Sequence, residues 1–165
     1  MASTNPGGDG SNGNGGVTPP ARQFALRQLY VKDISFESPN VPGIFSAGAI
    51  EPDVKMNLES ANKQVGSEAW EVVLQINVHA TAKEKSLFMV EIEQAGLFQL
   101  VGYTAEEVQI ILGTHAPAAL FPYAREAISS LVGRGGFPTL LLQPINFDAL
   151  FAQSQQQRAK AGTAS

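Results

Sequence analysis

Fourteen residues in the middle of the chain, AWEVVLQINVHATA (69–82), alternate so cleanly that they leave the fold little choice. Trp70, Val72, Leu74, Ile76, Val78 and Ala80 fall on one side, and Glu71, Gln75, Asn77, His79 and Thr81 on the other. That is the two-residue period of a strand with one face on a core and the other wet or paired. The flanking sequence supplies further strand candidates. DVKMNLE (53–59) sets Val54, Met56 and Leu58 against Lys55, Asn57 and Glu59. After the charged turn KEKS, LFMVEIEQAGLFQL (87–100) places Phe88, Val90 and Ile92 inward and Met89, Glu91 and Glu93 outward. FALRQLY (24–30) reads as a further strand, and after VKD the segment ISF resumes the alternation, with Ile34 and Phe36 opposite Asp33, Ser35 and Glu37. Four strands joined mostly by short connections predict an antiparallel sheet.

The longest connection, ESPNVPGIFSAGAIEP (37–52), holds three prolines and two glycines, which makes it a crossover rather than a tight hairpin. It also carries Val41, Ile44, Phe45 and Ile50, so it must pack onto something. At Thr104 the period changes. Thr104 and Glu107 have capping-box spacing, and Glu106 and Glu107 stand where a helix dipole favours acids. Val108, Ile111, Leu112 and His115 follow at helical spacing until Pro117. A second run aligns Leu120, Ala124, Ala127, Ile128 and Leu131 opposite Arg125, Glu126, Ser129 and Ser130 and ends at Gly135 and Gly136, so the spacing predicts a long broken or kinked helix. Small residues along it, Gly113, Ala116, Ala118, Ala119, Ala124 and Ala127, let another helix approach closely. Asn146 is a good N-cap for a last helix, with Ile145 and Leu150 as a hydrophobic staple. Its apolar stripe of Phe147, Leu150 and Phe151 spans little more than one turn, which suits a movable cover. The expected fold is α+β: a four-stranded antiparallel sheet, a long kinked helix and a short C-terminal helix.

One domain is expected over 23–152. Residues 1–22, rich in Gly, Pro and Asn, hold six of the sixteen glycines and lack aromatics, so they read as a disordered tail; 153–165 reads as a flexible C-terminal tail. With no basic start and no long apolar run, the chain reads as neither a secreted precursor nor a membrane protein, and a cytoplasmic location is expected. The absence of cysteine excludes disulfides, thiolate catalysis and cysteine zinc sites. A net charge of −4, with eleven scattered Lys and Arg, argues against nucleic acid and for a basic partner.

Little in the chain can do chemistry. His79 and His115 fall on separate elements without partners, and GRGG closes a helix instead of opening one, so it cradles no phosphate. No cofactor or metal is expected. Glu91 and Glu93 are more informative: if the first and fourth strands share a sheet, they share an outward face with Asp33 and Glu37, either a solvated face or an acidic docking patch. Val54, Met56, Leu58, Phe137, Leu140 to Leu142, Phe147, Leu150 and Phe151 read as core, or as the walls of an adaptable binding groove.

Three stretches, LYVKDISFESPN (29–40), LFPYAREAISSLVGRGGFP (120–138) and PINFDALF (144–151), in that order around four strands, resemble the SecB family of bacterial protein-export chaperones. The resemblance runs from about Phe24 to Phe151. It implies a non-enzymatic, ATP-independent chaperone that binds unfolded secretory precursors and hands them to the SecA motor ATPase. It also implies a homotetramer, a dimer of dimers, with an eight-stranded sheet in each dimer and the long helices between dimers. By the same resemblance Asp33, Glu37, Met89 and Glu91 are the motor-docking residues, and Val54, Met56, Leu58, Phe137, Phe147, Leu150 and Phe151 form the client groove. The chain departs from the family at Ile50, where relatives often carry tryptophan, and in a C-terminal tail that is basic or neutral. From the residues alone, a sheet wrapping a helix as in hotdog-type acyl thioesterases is the alternative. It would need an acid beside a ligand tunnel, for which Glu106 and Glu107 are the candidates. A purely structural oligomer is a third reading.

Overall fold

The computed structural model describes residues 15–19 and 21–163; most of the expected N-terminal tail, with Ala164 and Ser165, lies outside the described residues. Four strands, β1 (Gln23–Glu37), β2 (Asp53–Gly66), β3 (Ala69–Ala82) and β4 (Lys85–Val101), form one antiparallel sheet in the order β1-β4-β3-β2. Three helices follow: α1 (Ala105–Gly113), α2 (His115–Arg134) and α3 (Phe147–Thr163). The strand expected at 69–82 is β3, and its alternation is that of burial, with Val72, Leu74, Ile76, Val78 and Ala80 all buried.

β1 is one strand rather than two segments. Its pairing with β4 slips between Leu26 and Gln28 and again between Val31 and Asp33, so VKD is where a bulge resets the alternation without ending the strand. β2 runs on past Glu59 to Gly66, although SANKQVG has no apolar face, because β3 offers it a backbone to pair with as far as Ala69. Lys83 and Glu84, both at positive φ (49° and 65°), make the two-residue β3–β4 turn.

The capping box at the start of α1 is complete: Thr104 Oγ1 accepts from the Glu107 amide at 3.2 Å, and Glu107 Oε2 accepts from the Thr104 amide at 2.8 Å. The break between α1 and α2 falls at Thr114, not at Pro117, which lies in the first turn of α2 where its missing N–H is no loss. α2 lays Leu120, Ala124, Ile128 and Val132 on the sheet, all buried, and Leu112, Phe98 and Ile92 complete the core. The helix can lie close because Gly96 faces it: a Cβ there would come within 2.9 Å of Leu120. Among the described residues, the other face of the sheet carries no helix.

α3 departs from expectation. Asn146 caps it as read, its Oδ1 accepting from the Ala149 amide at 3.0 Å, but the helix continues to Thr163 through the segment expected to be a flexible tail. Residues 152–163 carry no apolar stripe, yet Ala, Gln, Arg and Lys are strong helix formers, and buried Phe147 gives them a first turn to extend.

Candidate functional site

Two surfaces lie on opposite faces of the sheet. On the helix side, β2 reaches beyond the cover of α2, so its inward row of Val54, Met56 and Leu58 is only partly packed; Val54 is 37 % exposed and Met56 43 %. A cleft opens at each end of this row. The first, about 350 Å³, is walled by the crossover (Ile44, Phe45, Ile50), by Val54 and Phe88, and by Phe137 and Leu140 beyond α2. Phe137 stands between two aromatic rings, 5.1 Å from Phe88 and 5.5 Å from Phe45 by centroid. Gly136, at φ +86°, turns the chain there.

The second cleft, about 590 Å³, lies between β2, α1 and α3 and is walled by Leu58, Leu112, Phe147, Leu150 and Phe151, with Asn62, Gln109 and Arg158 at its polar mouth. Phe147 meets Phe121 edge-on at 6.0 Å. Phe151 lies on Gly113, which has no Cβ to obstruct its ring. The seven expected groove residues are therefore divided: Val54 and Phe137 line one cleft, Leu58, Phe147, Leu150 and Phe151 the other, and Met56 joins them along β2. Phe45 and Ile50 belong to the first cleft although they were not among the expected groove residues; their signal was an apolar crossover that had to pack somewhere, and Leu140, read from the sequence as core or groove wall, joins them.

On the bare side, adjacency of β1 and β4 brings the expected docking residues together. Asp33 is paired with Glu93, Ser35 with Glu91 and Glu37 with Met89, and Gln75 Nε2 donates to Glu91 Oε1 at 2.9 Å from β3. Met89 is exposed among these acids. Further along the same face Glu71 accepts from the Tyr30 hydroxyl at 2.5 Å and from Lys32 Nζ at 3.0 Å, with Lys63 Nζ at 3.5 Å. The Tyr30 hydroxyl bond, more than Lys32, holds the Glu71 carboxyl below its ordinary range. Burial, reinforced by Glu71, pushes the Tyr30 phenol up to about 12.

The remaining candidates have structural occupations. Glu107 is held by the Thr104 amide, which lowers its pKa, and by Arg22 at 2.8 Å; Glu106 is exposed, and neither lines a cleft described above. His79 is exposed with Nε2 3.0 Å from Ser86 Oγ, and His115 lies tilted against Phe24. Among the described residues no group of His, Asp and Glu could hold a metal, and no helix is long and apolar enough to cross a membrane.

A sheet bare on one face, with helices and apolar clefts on the other, is the SecB-like chaperone fold. A Mycobacterium tuberculosis structure, the Rv1957 SecB-like chaperone in complex with a ChAD peptide from the Rv1956 HigA1 antitoxin, matches it with TM-score 0.62 at 20 % identity, over 74 % of this chain and 91 % of that one. The family model for preprotein translocase subunit SecB matches residues 18–158. The protein-export protein SecB of Nitrosococcus oceani is 48 % identical over 143 residues, covering 86 % of this chain and 87 % of the relative. That of Methylococcus capsulatus is 48 % identical over 147 residues, covering 87 % and 94 %. The chain belongs to the SecB family of protein-export chaperones.

Proposed function

We propose that this chain is an ATP-independent holdase that binds unfolded secretory precursors in the cytoplasm and delivers them to the SecA motor. The observation that carries it is the row Val54, Met56 and Leu58, which a closed core would cover and which here stays open between two clefts. Separate apolar pockets joined by an open strand face accept many sequences, because each contributes about 1.5 to 3 kcal/mol per buried side chain without reading polar detail. Val54, Met56, Leu58, Phe137, Phe147, Leu150 and Phe151 form this client surface. Asp33, Glu37, Met89 and Glu91 form the SecA-docking surface, supported by their convergence on the bare face away from the clefts. The reading needs no catalytic group and no cofactor.

A homotetramer is part of the proposal. It is supported by apolar side chains left uncovered on the edge strand β1 (Val31, Ile34) and on α2 (Tyr123), all exposed in the single chain. Native mass measurement should give four chains; a monomer at working concentration would refute the assembly. The function is tested by following a slow-folding precursor with stoichiometric protein and no nucleotide. Refolding should slow and aggregation fall. Time courses identical to those without the protein would sink the holdase reading.

A further inference from the structure

We infer that the bare face is a two-part docking surface, in which a basic end receives acidic groups of the same motor whose basic groups meet the acidic end. The inference rests on the docking reading above. At one end of the face the cross-strand rows are Asp33–Glu93–Gln75–Glu59, Ser35–Glu91–Asn77–Asn57 and Glu37–Met89–His79–Lys55, in which carboxylates dominate. A strip of small and apolar side chains, Ala95, Val73 and Ala61, then crosses the sheet beside Tyr30. Beyond it the sign inverts.

Lys32 and Lys63 meet there at one carboxylate, Glu71, and Arg27 lies one row further along, at Gln99. Lys32 and Lys63 share that acid, and the side chain of Lys63 is 66 % exposed. Arg27 donates from Nε to the neutral Gln99 Oε1 at 2.7 Å, and among the described residues no carboxylate pairs with it within 4 Å. Positive charge is therefore in excess at this end. Glu71 and Asn77 are six residues apart on β3, which at a rise of about 3.3 Å per residue puts the two ends about 20 Å apart.

A uniformly acidic face would accept a basic partner in several rotations about the sheet normal. Opposite signs at a fixed spacing select one, because the reversed pose sets like charges against each other. Charge complementarity thus describes the occupant: a motor surface with clustered Lys or Arg and, about 20 Å away, Asp or Glu.

The test compares SecA binding to the full chain, to Glu91→Lys, and to the double variants Arg27→Glu/Lys63→Glu and Arg27→Gln/Lys63→Gln, at low and high salt. Thermal unfolding and client holding serve as checks on the fold. We expect the double reversal to weaken SecA binding about threefold to tenfold at low salt, the double Gln variant to weaken it less, and both effects to shrink at high salt. Unchanged or tighter binding overturns the inference, because a purely acidic patch gains from added negative charge. If Glu91→Lys weakens binding and the double variants do not, only the two-part surface fails; if the unaltered chain does not bind SecA, the docking reading fails with it. Should the reversal instead abolish a self-associated species with SecA affinity intact, the occupant is a second copy and the inference is wrong.

Discussion

At Gly113 the space a side chain would fill is taken by the ring of Phe151. Gly113→Ala should therefore loosen α3 rather than the core, at an overpacking cost of about 1 to 3 kcal/mol, read as lost hydrogen-exchange protection in α3 with that of β3 unchanged. The sequence marked Gly113 only as small; that its close neighbour is Phe151 of α3 comes from the fold. Thr104 and Glu107 were legible because a capping box is made by residues three apart. The Tyr30–Glu71 bond, between residues forty-one apart, was not. It has a pH signature. The folded phenol titrates at about 12 against 10.0, so its contribution to stability is full below pH 10 and is lost as pH rises towards 12. In a Tyr103→Phe/Tyr123→Phe background, absorbance titration should place Tyr30 near that value, and Glu71→Gln should lower it part of the way, since burial remains. A midpoint unaffected by Glu71→Gln would contradict the pairing.

Among the elements, β3 was readable end to end because a single period ran its whole length, with one face apolar throughout and the other polar except at Ala69 and Val73. β1 was readable only in pieces, since a bulge reverses the face of every residue after it and leaves no mark beyond a broken pattern. α3 was underread for the converse reason: its later turns rest on propensity, without the apolar stripe by which helices are recognised. The β3–β4 turn gives an element-level prediction. Lys83 and Glu84 occupy left-handed backbone that costs L side chains about 1 kcal/mol or more each. Lys83→Asn with Glu84→Gly should raise the urea midpoint at constant m-value, a gain of about 1 kcal/mol in unfolding free energy in all. A lowered midpoint would mean that the native side chains make contacts in the assembly that outweigh the strain.

For the whole molecule, the proposed function assigns the two faces of the sheet separate tasks: client holding to the apolar clefts on the helix side, and docking to the charged face on the other. Charge reversal at Asp33 and Glu91 should then weaken SecA binding several-fold at low salt while suppression of client aggregation stays intact. Loss of both together, with a lowered melting temperature, would show a failed fold in place of a lost contact. Phe137→Ala should do the opposite, lowering client affinity and sparing SecA, because Phe137 lies between Phe45 and Phe88 in the cleft and away from the acidic rows.

What the sequence determined alone is what periodicity and local bonds determine: a sheet then helices, which side of each strand is apolar, and where α1 is capped. Neighbourhood came from the tertiary structure. The order β1-β4-β3-β2 puts Asp33 beside Glu93 and turns scattered acids into one patch. The same order leaves β2 at the edge, beyond the reach of α2, so residues with the pattern of a core face become an open wall between two clefts. An alternation states which residues share a face; only the packing of the other elements decides whether that face is covered.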